Sequence, residues 1–316
     1  MVIREQEDFE FSSAARKIKQ DSTPDRSGFG LQPWIKSKAL LLNGRSTACS
    51  ELIYTPRNQP STLQTELDFY GPLLDEAERQ GSRSIFAVGA TSEFCRSLEG
   101  LGFKENTELV RRRRYLGVRA LTGHSKVRRF GMRGIARVSR QIRNRMIESS
   151  LGEDSFRSAS VMFETLADRM DVAFNRPEEE LMERYRDSTD KWGILFLRRK
   201  VGMANNSYVI FREHQDSKGR EVLSLDDYWT SDFSYRSMLW LMGEISLWAL
   251  GVGFDIIDNT ALKGSYSDRC FIALGGIRKK ETIYLYERCR PSEPMTDFSS
   301  GHIRSSDFSL LSHGDE

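Results

Sequence analysis

The feature that most constrains the fold of this sequence is a repeat in the order of its elements rather than in its letters. Leu63, Leu67, Tyr70, Leu73, Leu74 and Ala77 recur at helical spacing, and Gly81 stands where a helix C-cap would. A strand, SIFAV at 84–88, follows; then come a short helix over 92–101 closed by Gly102 in an L-G-F turn, and a strand over 107–115. The same order returns later. A long helix over 233–250 is followed by Gly251 and Gly253, the strand FDIID at 254–258, a short helix over 266–274 closed by L-G-G-I, and a strand over 282–286. Strand signals at 39–42 and 51–54 precede the first set. Three more, at 193–198, 207–212 and 221–228, precede the second, with Asp216-Ser217-Lys218-Gly219 as a hairpin turn. Helices are expected over 161–174 and 177–185, the second with Glu178, Glu179 and Glu180 where the helix dipole favours acids.

This pattern divides the chain into a flexible N-terminus (1–30), a first, abbreviated α/β unit (31–118), a basic linker helix (119–148), a second unit (149–290) and a flexible tail (291–316). The ends are placed outside the units because they are rich in Ser, Pro, Gly and charge.

Charge separates the linker from its neighbours. The whole chain has 47 Lys and Arg against 45 Asp and Glu, which argues against a basic nucleic-acid packager or an acidic disordered protein. Residues 111–147, however, hold twelve Arg, one Lys and no acid. Within them Ile135, Val138, Ile142 and Met146 form an apolar stripe, with Arg133, Arg137 and Arg140 beside it as candidate anion contacts. A phosphate backbone, an acidic lipid surface or an acidic protein suits such a helix, and so do acids of the chain itself. Aromatic residues there are sparse, so base stacking is not expected.

No apolar run approaches the ~18–20 residues of a membrane span; the longest, 238–252, is broken by Gly243, Glu244 and Ser246. The N-terminal MVIREQEDFEF has no apolar core, so a cytoplasmic protein is expected. Four scattered cysteines without a C-x-x-C pair and four dispersed histidines point away from a metal centre or a Ser-His-Asp triad.

The repeated order, with its L-G-F and L-G-G-I turns, resembles the C-terminal half of the GNAT N-acetyltransferase superfamily. Two such units in one chain resemble the tandem GNAT proteins related to Fem-type aminoacyltransferases. The resemblance implies an α/β (α+β) fold of two GNAT-like units with mixed central sheets flanked by helices. It also implies transfer of an acyl (from acetyl-CoA or another acyl-CoA) or aminoacyl group to an amine, with no metal. In such proteins the strand before the long helix splays from its neighbour, and the loop opening that helix holds the pyrophosphate. On that basis the cofactor-binding candidates are Arg57 in RNQPST, Tyr228 at the start of YWTSDFSYR, and Asn259 at a strand end. The second loop has no glycine and places Asp232 where a phosphate would lie; in the first, Pro60 lacks an N–H donor. The resemblance makes Asp226 and Asp227 candidates for accepting the amine proton, and strand alternation predicts that they point to opposite faces. Helix capping or solvated strand-end charge accounts for them equally. The usual tyrosine near the last glycine is missing from both units; Tyr266 on the same short helix is the nearest catalytic substitute, or a surface residue. The alternative function is a non-catalytic protein of this fold that binds an anionic partner through residues 111–147.

Overall fold

The computed structural model describes residues 34–53, 63–89, 92–116, 146–149, 153–167, 171–186, 191–197, 207–232, 234–298 and 307. Asn43 and Gly44 both take positive φ (49° and 74°), so an Asn-Gly turn joins β1 (Trp34–Leu42) to β2 (Arg45–Ile53) in nine consecutive antiparallel rungs. The helix α1 (Leu63–Arg79), β3 (Ser84–Gly89), α2 (Ser92–Gly100) and β4 (Lys104–Tyr115) complete the first repeat. The second begins with β5 (Met146–Ser149), α3 (Glu153–Ala167), β6 (Val172–Phe174) and α4 (Glu178–Arg186). It continues through β7 (Lys191–Leu197), β8 (Ser207–Gln215) and β9 (Glu221–Thr230) to α5 (Tyr235–Val252), β10 (Ile256–Leu262), α6 (Tyr266–Ala273) and β11 (Ile277–Cys289).

Three expectations change. The helix read over 161–174 ends at Ala167, and Val172–Phe174 is a strand that adds to β1 through Leu40–Phe174, Leu41–Ala173 and Leu42–Val172. The end of the expected linker helix, Met146–Ser149, is a strand paired with β7, while Arg133, Arg137 and Arg140 lie outside the described residues. The segment read as a flexible tail is docked over its described part: Thr296, Phe298 and Asp307 are buried.

The expected pair of sheets is one sheet of eleven strands, ordered β5-β7-β8-β9-β10-β4-β11-β3-β2-β1-β6. At its centre the last strands of the two repeats are exchanged. β4 pairs with β10 of the second repeat, β11 pairs with β3 of the first, and β4 and β11 pair with each other. Each repeat retains one internal parallel pair, β2 with β3 and β9 with β10. Alternation then sorts the core. On one face α5 and α6 cover Leu223, Leu225, Tyr228 and Ile257, and Tyr70, Leu74 and Leu98 of α1 and α2 cover Leu52, Ile85, Ala87 and Tyr286. On the other, Phe156, Phe163 and Leu181 of α3 and α4 meet Ile194, Phe196, Tyr208, Ile210 and Trp229. Leu41 and Ala173 join that same cluster, so the β1–β6 margin of the sheet comes back toward β8 and β9. Gly193 on β7 is required by packing, because a Cβ there would meet the Phe211 ring at 2.2 Å.

Candidate active site

The parallel ladder between β9 and β10 runs from Val222–Ile256 to Leu225–Asn259 and stops. Beyond it, Asp227 to Thr230 ladder with β8, while Thr260 to Leu262 ladder with β4, so β9 and β10 diverge. The divergence begins at a β-bulge. On β8, Ile210 faces Asp227 and the next residue, Phe211, faces Leu225, which leaves Asp226 as the extra residue.

The bulge overturns the expectation that the two acids point apart. Leu225 and Tyr228 lie in the α5 core and Trp229 in the opposite one. The Asp227 carboxylate accepts hydrogen bonds from Tyr208 Oη (3.0 Å) and Arg176 Nε (2.8 Å), on the Trp229 side. Asp226 lies 4.0 Å from Arg212 Nη2, and the Arg212 guanidinium lies over the Trp192 ring, again on the Trp229 side. Burial, followed by the nearby Asp226 charge, pushes the Tyr185 phenol well above its usual range. Both buried carboxylates therefore share one face, immediately where the strands part.

Their roles differ. Asp227 also accepts a backbone hydrogen bond from Tyr228 N (2.9 Å), so it is held by an arginine, a phenol and an amide. Arg176 in turn donates to Phe174 O (2.7 Å), pairs with Asp307 (2.9 Å) and lies over the Phe163 ring. Burial works against the Arg176 charge, and Asp227 and Asp307 more than offset it, so its pKa is raised. Asp307 reaches the other half as well, because its carbonyl accepts from Lys38 Nζ, and Lys38 pairs with Glu51 at 2.9 Å. A buried chain of charge, Glu51–Lys38–Asp307–Arg176–Asp227, thus links the two parallel pairs. Arg176, Arg212, Tyr208, Lys38, Glu51 and Asp307 were all missed in the sequence, where none of them stands in a local motif. Asp226 has Arg212 at the outer limit of an ion pair, 4.0 Å away.

The mouth of the divergence on the α5 face is closed by a brace. Tyr228 and Asn259, both expected to meet a cofactor, are buried and joined to each other, Tyr228 Oη donating to Asn259 Oδ1 at 2.9 Å. Beside them, Ser234 caps α5 by accepting from Ser237 N (3.2 Å). Asp232 accepts from Ser234 N (3.4 Å) and Ser237 Oγ (2.7 Å). Asp232 thus sets a negative charge at this helix start, where it would repel a pyrophosphate, so the site does not fit that group. Tyr266 opens α6, is 41% exposed, and meets Tyr235 edge-on at 6.3 Å. That places it on the α5 face, apart from the two acids. Arg57 lies outside the described residues.

The start of the basic run is internal. Arg113 forks onto Asp258 at 2.8 and 2.6 Å, Arg111 approaches the same acid at 3.5 Å, Arg112 pairs with Asp268 and Arg114 donates to Ser246. Four of the residues assigned to an anionic partner thus bind the chain's own groups. Among the described residues no cluster of His, Cys, Asp or Glu could hold a metal ion, and no helix is long and apolar enough to cross a membrane.

The fold is found in known structures. A GCN5-related N-acetyltransferase from Anabaena variabilis superposes with a TM-score of 0.55 at 10% identity, over 81% of this chain and 59% of that one. Saccharomyces cerevisiae N-myristoyltransferase with bound myristoyl-CoA and inhibitors superposes at 0.51 and 10% identity, over 88% and 70%. A GCN5-related N-acetyltransferase from Kribbella flavida gives 0.52 and 11%, over 83% and 59%. The chain has the GNAT fold. It spans about 59% of the length of the two N-acetyltransferases. No protein-family model and no curated protein matches the sequence.

Proposed function

We propose that this chain is an N-acyltransferase built from two GNAT-like units, a tandem arrangement of the Fem-related type, with its working site at the β9–β10 divergence. The observation that carries the reading is the bulge at Asp226, which sets a buried acid beside strand edges that have left their ladder. An amine acceptor enters there, its nitrogen attacks the donor's acyl carbonyl, and Asp226 takes the ammonium proton as the new N–C bond forms. The bond from the carbonyl carbon to the leaving sulfur or oxygen breaks, and backbone N–H groups of the diverging strand stabilise the oxyanion. Asp227 holds the bulge in place through Arg176 and Tyr208. The donor is an activated acyl or aminoacyl group. An acyl-CoA is the natural example for this fold, although Asp232 bars the usual seat of its pyrophosphate at α5.

That bar, with the Tyr228–Asn259 brace, favours a second reading: a non-catalytic protein of this fold that binds an anionic partner. Incubating the full chain with acyl-CoA and aminoacyl-ester donors and a panel of amines, with mass spectrometry of the products, separates the two. Transfer that Asp226→Asn abolishes at an unchanged unfolding midpoint supports the enzyme. No product from any donor, together with no thermal stabilisation by any acyl-CoA, leaves the binding protein.

A further inference from the structure

A second concave region lies at the opposite end of β9, away from the divergence. It is a cavity of about 690 Å³ lined by the β8–β9 turn, the end of β4 and the start of β11. That volume is in the range of small-ligand pockets, ~300–1,000 Å³. Five cations line it, Arg113, Lys218, Arg220, Arg278 and Lys279, against one acid, Asp216.

The cations fall into two groups. Arg113 and Arg220 are fixed: Arg220 forks onto Asp216 at 2.9 and 2.5 Å and lies over the Tyr115 ring, and Arg113 forks onto Asp258. Asp216 is held well below the ordinary carboxylate range, chiefly by the Arg220 hydrogen bond, so it remains an anion that orients the wall. Lys218 and Lys279 have no carboxylate partner among the described residues. They face the cavity from separate elements, Lys218 from the turn and Lys279 from a stretch of β11 whose pairing with β4 is interrupted between Arg278 and Thr282. Arg278 shares Glu108 with Lys263, two cations on one acid.

Fixed guanidinium forks together with two ammonium groups around a recess are the chemistry that takes several phosphate oxygens at once. We infer that this pocket binds an oligophosphate anion, the di- or triphosphate group of a nucleotide or of a nucleic-acid end. The inference does not depend on the acyltransfer reading, because the pocket shares no residue with the divergence.

The test is calorimetric titration of the full chain with inorganic triphosphate, repeated with Lys218→Glu/Lys279→Glu, whose side chains carry no ion pair that the fold needs. The expected result is saturable binding that weakens with salt and falls by about tenfold or more in the double variant, at an unchanged unfolding midpoint. Competition by ATP identifies a nucleotide as the source, and competition by a 5′-triphosphorylated oligoribonucleotide but not by ATP identifies a strand end. Absence of saturable triphosphate binding, or binding that the double variant leaves intact, overturns the site.

Discussion

The two parallel strand pairs begin from one design and end differently. In the first, β2 and β3 pair through Cys49–Ser84, Ser50–Ile85 and Glu51–Phe86, and β2 runs beside β1 with no break in register. Its buried acid, Glu51, is matched by one buried lysine, Lys38, at 2.9 Å. In the second, β9 carries one extra residue against β8 and so has two buried acids on one face. One arginine, Arg176, answers Asp227 and Asp307 together. A regular ladder gives one acid one partner, and the structure is satisfied. An inserted residue turns a second acid, Asp226, onto the same face as the first, within 4.0 Å of Arg212.

The sharpest way to break this comparison is to remove each cation. Arg176→Met strands two buried carboxylates and is expected to lose about 3–5 kcal/mol of stability, measured by urea unfolding. Lys38→Met should lose a comparable amount, but Lys38→Met/Glu51→Leu should recover most of it, because an apolar pair replaces a closed ion pair with little loss. If Arg176→Met/Asp227→Leu recovers equally well, the asymmetry between the pairs is not real.

Next in size is the split between the acids. Asp226→Asn should lower acyl transfer by about 10²–10⁴-fold while leaving the urea midpoint in place, whereas Asp227→Asn should lower the midpoint through Arg176 and Tyr208. The reverse outcome would assign the proton acceptor to Asp227. A smaller effect tests the packing that holds the bulged strand's neighbours: Gly193→Ala drives a Cβ into Phe211 and should lose about 1–3 kcal/mol. The smallest concerns the closed pair. Cys49 and Cys289 both lie opposite Ser84, one on each neighbour of β3. Burial raises the Cys289 thiol to about 11 and carries Cys49 higher still. With the folded value raised, this contribution to stability is complete below the unfolded value of 9.0 and is lost as pH climbs from there toward about 11. Alkylation of Cys289 at pH 8 should be roughly a hundredfold slower than that of a free thiol, and Cys49 should react only in urea. Ready labelling of Cys49 in the native chain would mean that the first pair opens.

What could be read from the letters was local. Helical spacing found α1 and α5, and L-G-F and L-G-G-I marked the ends of α2 and α6, because each signal lies within a dozen residues. The Asn43-Gly44 turn is an equally local signal, and it sets β1 and β2 as a longer hairpin than the strand signals at 39–42 and 51–54 imply. The bulge at Asp226 carries no glycine or proline and shows itself only as a mismatch between two strands. The arginines at 111–114 looked like a surface for a foreign anion because their acids, Asp258 and Asp268, come some 145–156 residues later. The exchange of β4 and β11 was invisible for the same reason, since strand pairing over that distance leaves no periodic trace.

That exchange has a consequence for how the chain is made. When β3 and β4 leave the ribosome, the strand that belongs between them is still about 160 residues from being synthesised. At ~5–20 residues per second the first half waits roughly ten to thirty seconds with one edge of β3 and both edges of β4 open. A nick within 117–145 after folding, by contrast, should release nothing, since each fragment is laced through the other by a central strand. The chain is vulnerable while it is being born and hard to pull apart once complete.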